Sequence, residues 1–185
     1  VNLTATTLED AGFLTRLSEF LKQYPAARDS LQLEIVETTS LYNLEQVAKT
    51  IQNCMDMGVS IALDDFGTGY SSLTYLRRIP ATSLKIDRSF VIDMIEDQND
   101  LKIVDGILRI AEALGKEAIA EGIETLQHGS ELLRLGGALA QGYAIARPMP
   151  ADQLVDWMNN FRLPQEWLQP GASELAQTNK TRKKA

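Results

Sequence analysis

Apolar residues recur along this chain in two alternating rhythms. Phe13, Leu14, Leu17, Phe20 and Leu21 keep helical spacing, as do Leu44, Val47, Ile51 and Cys54, and again Leu101, Val104, Ile107, Leu108, Ala111 and Leu114. Each set falls on one face of a helix, which predicts amphipathic helices there. Between them lie short runs that are apolar almost throughout: LQLEIV from Leu31, VSIAL from Val59, SLKI from Ser83, EAIA from Glu117 and ALAQGYAI from Ala138. Continuous apolar character marks strands covered on both faces, as in a parallel sheet. Gly58, Gly115 and Gly136 stand where a helix ends and a strand is about to begin, the place for a left-handed cap. The repeating unit is therefore βα, with a right-handed crossover expected at each step.

Polar residues decide which α/β architecture uses that repeat. Asn2 closes the first run, Glu34 sits in the second, Asp64 and Asp65 follow the third, Lys85 lies in the fourth, Glu121 follows the fifth and Gln141 occupies the sixth. In an open sheet with strands roughly 4.8 Å apart, the outer two of six would stand about 24 Å from each other, too far to share one ligand. A barrel gathers the carboxyl ends of its strands around one mouth. A TIM-like (β/α)8 barrel is the expectation, with about six of its eight strands present. The chain opens at Val1-Asn2-Leu3 already inside a predicted strand, so truncation at the N-terminus is expected, with strand edges left open to pairing by another chain.

Composition narrows the function classes. A 44% hydrophobic content over 185 residues supports one globular domain with a real core. The formal charge of −7 argues against a general binder of DNA or RNA polymers, which usually display a basic face. A single cysteine, Cys54, excludes an internal disulfide; its place on a helical apolar stripe predicts buried filler and a reducing compartment. No apolar run reaches membrane-spanning length, so no membrane contact by this segment is expected.

The chemistry concentrates in IALDDFGTGYSSL, Ile61 to Leu73, where two carboxylates emerge side by side from a strand. Neighbouring carboxylates repel, and the arrangement is stable if a cation neutralises them. Asn2, Glu34, Asp64, Asp65 and Glu121 offer one amide and four carboxylates, suited to magnesium, manganese or calcium, with no His or Cys to recruit zinc. A pair of such ions activates water and stabilises charge in phosphoester hydrolysis. Lys85 adds positive charge near a developing oxyanion or orients the water. The blander readings are a turn or cap at Asp64-Asp65, a turn-shaping role for the glycines of FGTGY, and a structural ion pair of Lys85 with Asp87 or Glu121.

Taken together, DDFGTGYSSL at Asp64, LKIDRSFV at Leu84, AEGIET at Ala120, QGY at Gln141 with RP at Arg147, LEIVE at Leu33 and VNL at Val1 resemble the EAL domain, the cyclic di-GMP phosphodiesterase module of bacterial signalling proteins. The resemblance runs from Val1 to about Phe161. It implies a modified barrel with one antiparallel strand and metal-dependent hydrolysis of cyclic di-GMP to linear pGpG, with a two-metal site for Mg2+ or Mn2+. By resemblance the metal ligands are Asn2, Glu34, Asp64, Asp65 and Glu121, and the catalytic residues are Lys85, Glu121 and Gln141. Glu37, Glu124, Gly67, Thr68 and Gly69 are the corresponding substrate and loop supports. The family's Glu-Ala-Leu signature segment, with its glutamate ligand and nearby arginine, is expected to lie before Val1, so weak or absent turnover by this chain alone is expected. A homodimer, sensor and GGDEF domains upstream in a parent protein, and a cytoplasmic location with possible anchoring of the parent in the inner membrane are further implications. The competing functional reading is a non-catalytic cyclic di-GMP-binding or regulatory module; a sugar-phosphate enzyme rests on fold analogy alone.

The remaining features are assigned structural roles. His128 falls on a polar helical segment and is expected to be solvated. Trp157, Met158 and Phe161 keep helical spacing and are expected to pack on the barrel, or else to meet another domain. Residues 162–185 carry prolines and end in Lys180, Arg182, Lys183 and Lys184, reading as a partly disordered, solvated tail.

Overall fold

The computed structural model of the protein describes residues 1–36, 44–69 and 73–168. Glu37 and the terminal basic cluster lie outside the described residues. The chain forms two compact units, Val1–Asp87 with Ile110–Glu117, and Arg88–Arg109 with the described residues from Ala118 onward.

In the first unit, β1 (Asn2–Leu3), β2 (Gln32–Val36), β3 (Ser60–Phe66) and β4 (Ser83–Ile86) lie side by side in chain order. Their pairings are parallel, with Asn2 opposite Glu34, Val36 opposite Asp64 and Leu63 opposite Leu84. The helices between them are α1 (Ala5–Glu9), α2 (Phe13–Gln23), α3 (Leu44–Asp56) and α4 (Leu73–Arg78). Phe13, Leu17 and Leu21 of α2 and Val47, Ile51 and Cys54 of α3 are buried, as their spacing predicts. So are Ile35, Ile61, Leu63, Leu84 and Ile86 of the strands. Every residue of β4 is buried, Lys85 included. Because parallel strands share one direction, their carboxyl ends, and the polar residues they carry, gather along one edge.

Cys54 is fully buried, and burial pushes its thiol up to about 11. At pH 8 only about one thiol in a thousand would then be thiolate, the reactive species. An unfolded cysteine, with a pKa of about 8.5–9, is about a tenth to a quarter thiolate at that pH, so labelling of the native protein by a thiol reagent should run at least about a hundredfold slower than labelling of the urea-unfolded chain, and should accelerate with rising pH. Stopped-flow labelling checks this; equal rates would place the thiol at the surface.

The second unit holds α5 (Arg88–Asp93), most of α6 (Gln98–Ala113), all of β5 (Glu117–Glu121) but its first residue, α7 (Leu126–Arg134), β6 (Leu139–Gln141) and α8 (Ala151–Asn160). β5 and β6 are parallel, pairing Ile119 with Leu139 and Glu121 with Gln141. The sixth apolar run thus makes a strand of only three residues. At Gly142 the chain turns inward: a Cβ there would stand 2.3 Å from the Ile123 carbonyl oxygen, and Ala144 N–H donates to that oxygen at 2.9 Å. No antiparallel pairing occurs among the described residues within either unit.

The three predicted glycine caps share one device. Gly58, Gly115 and Gly136 have φ of +89°, +65° and +93°. The following N–H in each case reaches back five residues, from Val59 to Cys54 O, Lys116 to Ala111 O and Gly137 to Leu132 O, at 3.2, 2.8 and 3.0 Å. This is the bond that closes a helix whose last residue turns left-handed, a conformation glycine adopts without steric cost.

Two expectations need correction. His128 is buried, at 7% exposure, because its ring accepts and donates hydrogen bonds that water would otherwise make. The α8 segment does not bury its apolar face: none of its residues is buried, and Leu154, Val155 and Met158 are exposed. Trp157 and Phe161 stack on each other, ring centroids 4.9 Å apart. Helical spacing marks a face, and only the fold decides whether another element covers it. Beyond Phe161 a 3-10 turn, Gln165–Leu168, seats Trp167 in a slot on α7 where Gly129 leaves room: a Cβ at Gly129 would stand 2.3 Å from the indole. Trp167 Nε1–H donates to Leu126 O at 2.9 Å.

Candidate active site

The pair Asp64-Asp65 sits on a β-bulge. Leu63 opposes Leu84 and Phe66 opposes Ile86, so two residues of β3 face the single Lys85 of β4. Asp65 takes up the extra length with φ of +54°, a left-handed conformation that costs most residues on the order of 1 kcal/mol and that Asp tolerates better than most. Strict alternation would send adjacent side chains to opposite faces of a sheet. The bulge breaks that alternation where the two carboxylates need to serve one site.

Lys85 is the electrostatic centre of this edge. Its Nζ lies 2.8 Å from Asp64 Oδ1 and 3.3 Å from Glu34 Oε1, with only 6% of the lysine side chain exposed. Asp64 Oδ1 is buried and, among the described residues, makes no hydrogen bond beyond that ion pair. Burial holds the Asp65 carboxyl above its ordinary range, helped by the charges of Asp64 and Asp87 and a hydrogen bond with Asp87, while Lys85 pulls the other way. Asn2 stands beside Glu34 in register on β1. One ammonium therefore faces an edge lined by several carboxylates, a surplus of negative oxygen donors. That donor set fits a hard divalent cation.

The turn after β3 is closed by Thr68, whose hydroxyl donates to Asp65 O at 2.9 Å, and Gly67 continues it at φ of +105°. Thr68 holds the turn by its own backbone contact, and Gly67 and Gly69 belong to the same turn.

In the second unit, β5 delivers Glu121 and β6 delivers Gln141 at one register position. Gln141 Nε2–H donates to Glu121 Oε1 at 2.7 Å. The Gln141 carbonyl also accepts from Gly122 and Ile123 N–H, at 2.9 and 3.1 Å. One glutamine thus holds both the carboxylate of Glu121 and the peptide that follows it. Glu124 pairs with Arg88 of α5 at 2.5 Å. These residues line a cavity of about 520 Å³ together with Tyr143, Arg147 and Trp157. The Arg147 guanidinium stands over the Tyr143 ring, 4.6 Å from its centroid, an arrangement that keeps a planar cation and an aromatic face at the cavity wall.

Of the residues singled out by sequence, Glu34, Asp64, Asp65 and Lys85 come together in the first unit, with Asn2 beside Glu34, and Glu121, Gln141 and Glu124 in the second. Arg88 and Arg147 lie in stretches that carry the family resemblance, yet sequence reasoning gave them no role. A charged residue one turn past a strand is unremarkable until its partner is known. His128 was missed for another reason: Thr125-x-x-His has the spacing of a capping box, but with His where Glu or Gln usually stands.

Comparison with known proteins agrees with this geometry. The EAL domain family model matches residues 1–148. The chain is 38% identical over 162 residues to the cyclic di-GMP phosphodiesterase NbdA of Pseudomonas aeruginosa, spanning 88% of this chain and 21% of that protein. It is 39% identical over 155 residues to the bifunctional diguanylate cyclase/cyclic di-GMP phosphodiesterase MucR of the same organism, covering 84% of this chain and 23% of MucR. The chain thus spans under a quarter of the length of these two curated relatives. Among solved structures, a cyclic di-GMP complex of the MucR phosphodiesterase superposes with a TM-score of 0.79 at 40% identity, covering 83% of this chain and 62% of that one. The EAL domain of Mycobacterium smegmatis DcpA gives 0.82 at 35% identity, covering 88% and 73%. Parallel strands ending in acidic residues, a buried lysine among them, and a family match over four-fifths of the residues lead to one assignment: this chain belongs to the EAL domain family and has its TIM-like α/β fold.

Proposed function

We propose that this chain supplies the catalytic edge of a cyclic di-GMP phosphodiesterase, hydrolysing cyclic di-GMP to linear pGpG with the help of Mg2+ or Mn2+. The observation that carries the reading is Lys85, a buried ammonium held between Glu34 and Asp64 opposite the acidic bulge. Glu34, Asp64 and Asp65, with Asn2 beside them, are the residues of the first unit proposed to hold the ions; Glu121, in the second unit, keeps the ligand role that the family resemblance implies. When bound, such ions lower the pKa of water and stabilise charge on the attacking and leaving oxygens. Hydrolysis adds a water oxygen to phosphorus and breaks its bond to one ribose oxygen, which leaves with a proton as a hydroxyl. Lys85 stabilises the charge that develops on the phosphoryl oxygens in that step, from a fixed position in a water-poor strand layer. Gln141 keeps Glu121 oriented by its amide. The cavity with Arg88, Tyr143 and Arg147 offers cationic and aromatic surface to an anionic dinucleotide.

Calorimetric titration of a complete domain containing these residues with Mn2+ and then with cyclic di-GMP, followed by product analysis, tests the proposal. Binding with release of pGpG supports hydrolysis; binding without product favours the regulatory module; no binding of either sinks both. Mn2+ should also raise the melting temperature, since a cation bound only to the native state adds about 2.7 kcal/mol at a free concentration one hundred times its Kd. EDTA should reverse the gain. The homodimer, upstream signalling domains and cytoplasmic location belong to the same proposal, and sedimentation of the parent protein and cell fractionation address them.

A further inference from the structure

We infer that His128 is a positioning residue for Glu121, acting through the peptide that joins β5 to α7. This inference rests on the proposed role of Glu121 as a metal ligand. Glu121 is followed by Gly122, Ile123, Glu124 and Thr125 before α7 begins. The near end of that segment is held by Gln141 through its side chain and its carbonyl. The far end is held by an imidazole. His128 Nδ1 accepts from the backbone N–H groups of Glu124 and Thr125, both at 3.3 Å. Two donors aimed at Nδ1 leave no room for a proton on it, so the ring proton resides on Nε2, which stands 3.1 Å from the Ile92 carbonyl oxygen and donates to it. A single tautomer thereby ties the segment to α5.

The same helix reaches the segment a second time, since Arg88 in its first turn pairs with Glu124. Gly122 permits that approach: at φ of +83°, a Cβ there would stand 2.5 Å from Arg88 Cγ. The ring itself is held in place. His128 N–H donates to Thr125 Oγ1 at 3.3 Å, closing the cap, and Trp167 braces the adjoining turn through Leu126 O and the Gly129 slot. Only four residues separate the carboxylate from the first α7 residue, and both ends of that peptide are pinned. The position of Glu121 therefore depends on His128 although the two side chains do not need to touch. Partners that orient a metal ligand typically matter about 10- to 100-fold for affinity.

The test compares His128→Leu, which removes acceptor and donor, with His128→Gln, whose amide oxygen can accept from the cap and whose NH2 can donate to Ile92 O. Ile51→Val in α3 serves as a control for general loss of stability. The readout is the Gln141 side-chain amide signal in two-dimensional NMR, which reports its bond to Glu121 without metal or substrate. In His128→Leu it should move toward the position of a free glutamine amide, and Mn2+ affinity should fall at least about tenfold. His128→Gln should keep both near wild type, and Ile51→Val should leave the signal unmoved. An unmoved signal in His128→Leu, failure of Gln to restore it, or an equal shift in Ile51→Val each overturns the inference. Should His128→Leu not fold, the wild-type imidazole nitrogen shifts decide: a protonated Nδ1 at neutral pH refutes the arrangement, and a bare Nδ1 with slowly exchanging Glu124 and Thr125 amides upholds it. If wild-type protein binds no Mn2+, the proposed function fails, while the Gln141 signal still settles the role of His128.

Discussion

Replacing Lys85 with methionine should cost both stability and turnover, and the two losses should separate when a divalent cation is added. The change removes a buried ammonium and leaves the Asp64 and Glu34 carboxylates facing one another across the strand ends. Breaking a buried ion pair from one side typically costs about 3–5 kcal/mol, mostly from the uncompensated partner left behind. In metal-free buffer Lys85→Met should therefore melt well below wild type. Mn2+ replaces the missing positive charge, so it should raise the melting temperature of the variant more than that of wild type. Turnover should not recover, because loss of one preorganised group that stabilises developing charge typically costs about 100- to 1000-fold in kcat. Melting curves with Mn2+ and with EDTA, beside a cyclic di-GMP assay on a complete domain carrying the change, provide the measurement. Wild-type turnover in the variant would remove Lys85 from the chemistry. Full stability in EDTA would mean that the carboxylates are not held apart by it.

Gly142→Ala should be damaging to the second unit, since it sets a methyl group against backbone. Its Cβ would meet the Ile123 oxygen, nitrogen and carbon at 2.3, 2.4 and 2.6 Å, and these are backbone atoms that cannot rotate aside. The turn after β6 would have to lift away from Gly122 and Ile123, stretching the bonds their N–H groups make to Gln141 O and the Ala144 bond to Ile123 O. Overpacking of this kind costs about 1–3 kcal/mol when the structure yields. The loss should also appear at the bond between Gln141 and Glu121, since Gln141 adjoins the turn. The matched control is Gly106→Ala in α6, where a Cβ meets nothing within 4 Å. There the same substitution should stabilise the helix by up to about 1 kcal/mol. Denaturant midpoints for the two variants should shift in opposite directions; a shared direction would mean that the tight approach at Gly142 is relaxed in solution.

Much of this was legible in the residues themselves. The α2 and α3 stripes, the apolar runs and the glycine caps follow from local rules, because a 3.6-residue period, a continuous apolar run and a left-handed cap each depend on neighbours along the chain. Asn2, Glu34, Asp64, Lys85, Glu121 and Gln141 could be picked out for the same reason: a polar residue at the end of a buried strand is costly unless something uses it. His128 and the face of α8 were misread because burial is not a local property. A polar helical segment looks solvated until the carbonyl of Ile92 and the two N–H groups at the helix start are placed around the ring. The spacing of Trp157, Met158 and Phe161 likewise cannot say whether a partner element covers it. Trp167 shows the reverse, a residue in a proline-marked tail seated in a slot that exists because Gly129 lacks a side chain.

By itself the sequence determined that the protein alternates strands with helices, sets polar and acidic residues at the strand ends where they offer oxygen ligands, and resembles one hydrolase family. The tertiary structure alone decided which charges meet. Periodicity assigns residues to faces, but the bulge that sets Asp64 and Asp65 against one lysine, the reach of that lysine to Glu34, and the hold of Gln141 and His128 on the segment after Glu121 are set by register between strands and by packing of distant segments. Those are long-range interactions, and no short window of residues encodes the distance between two strands.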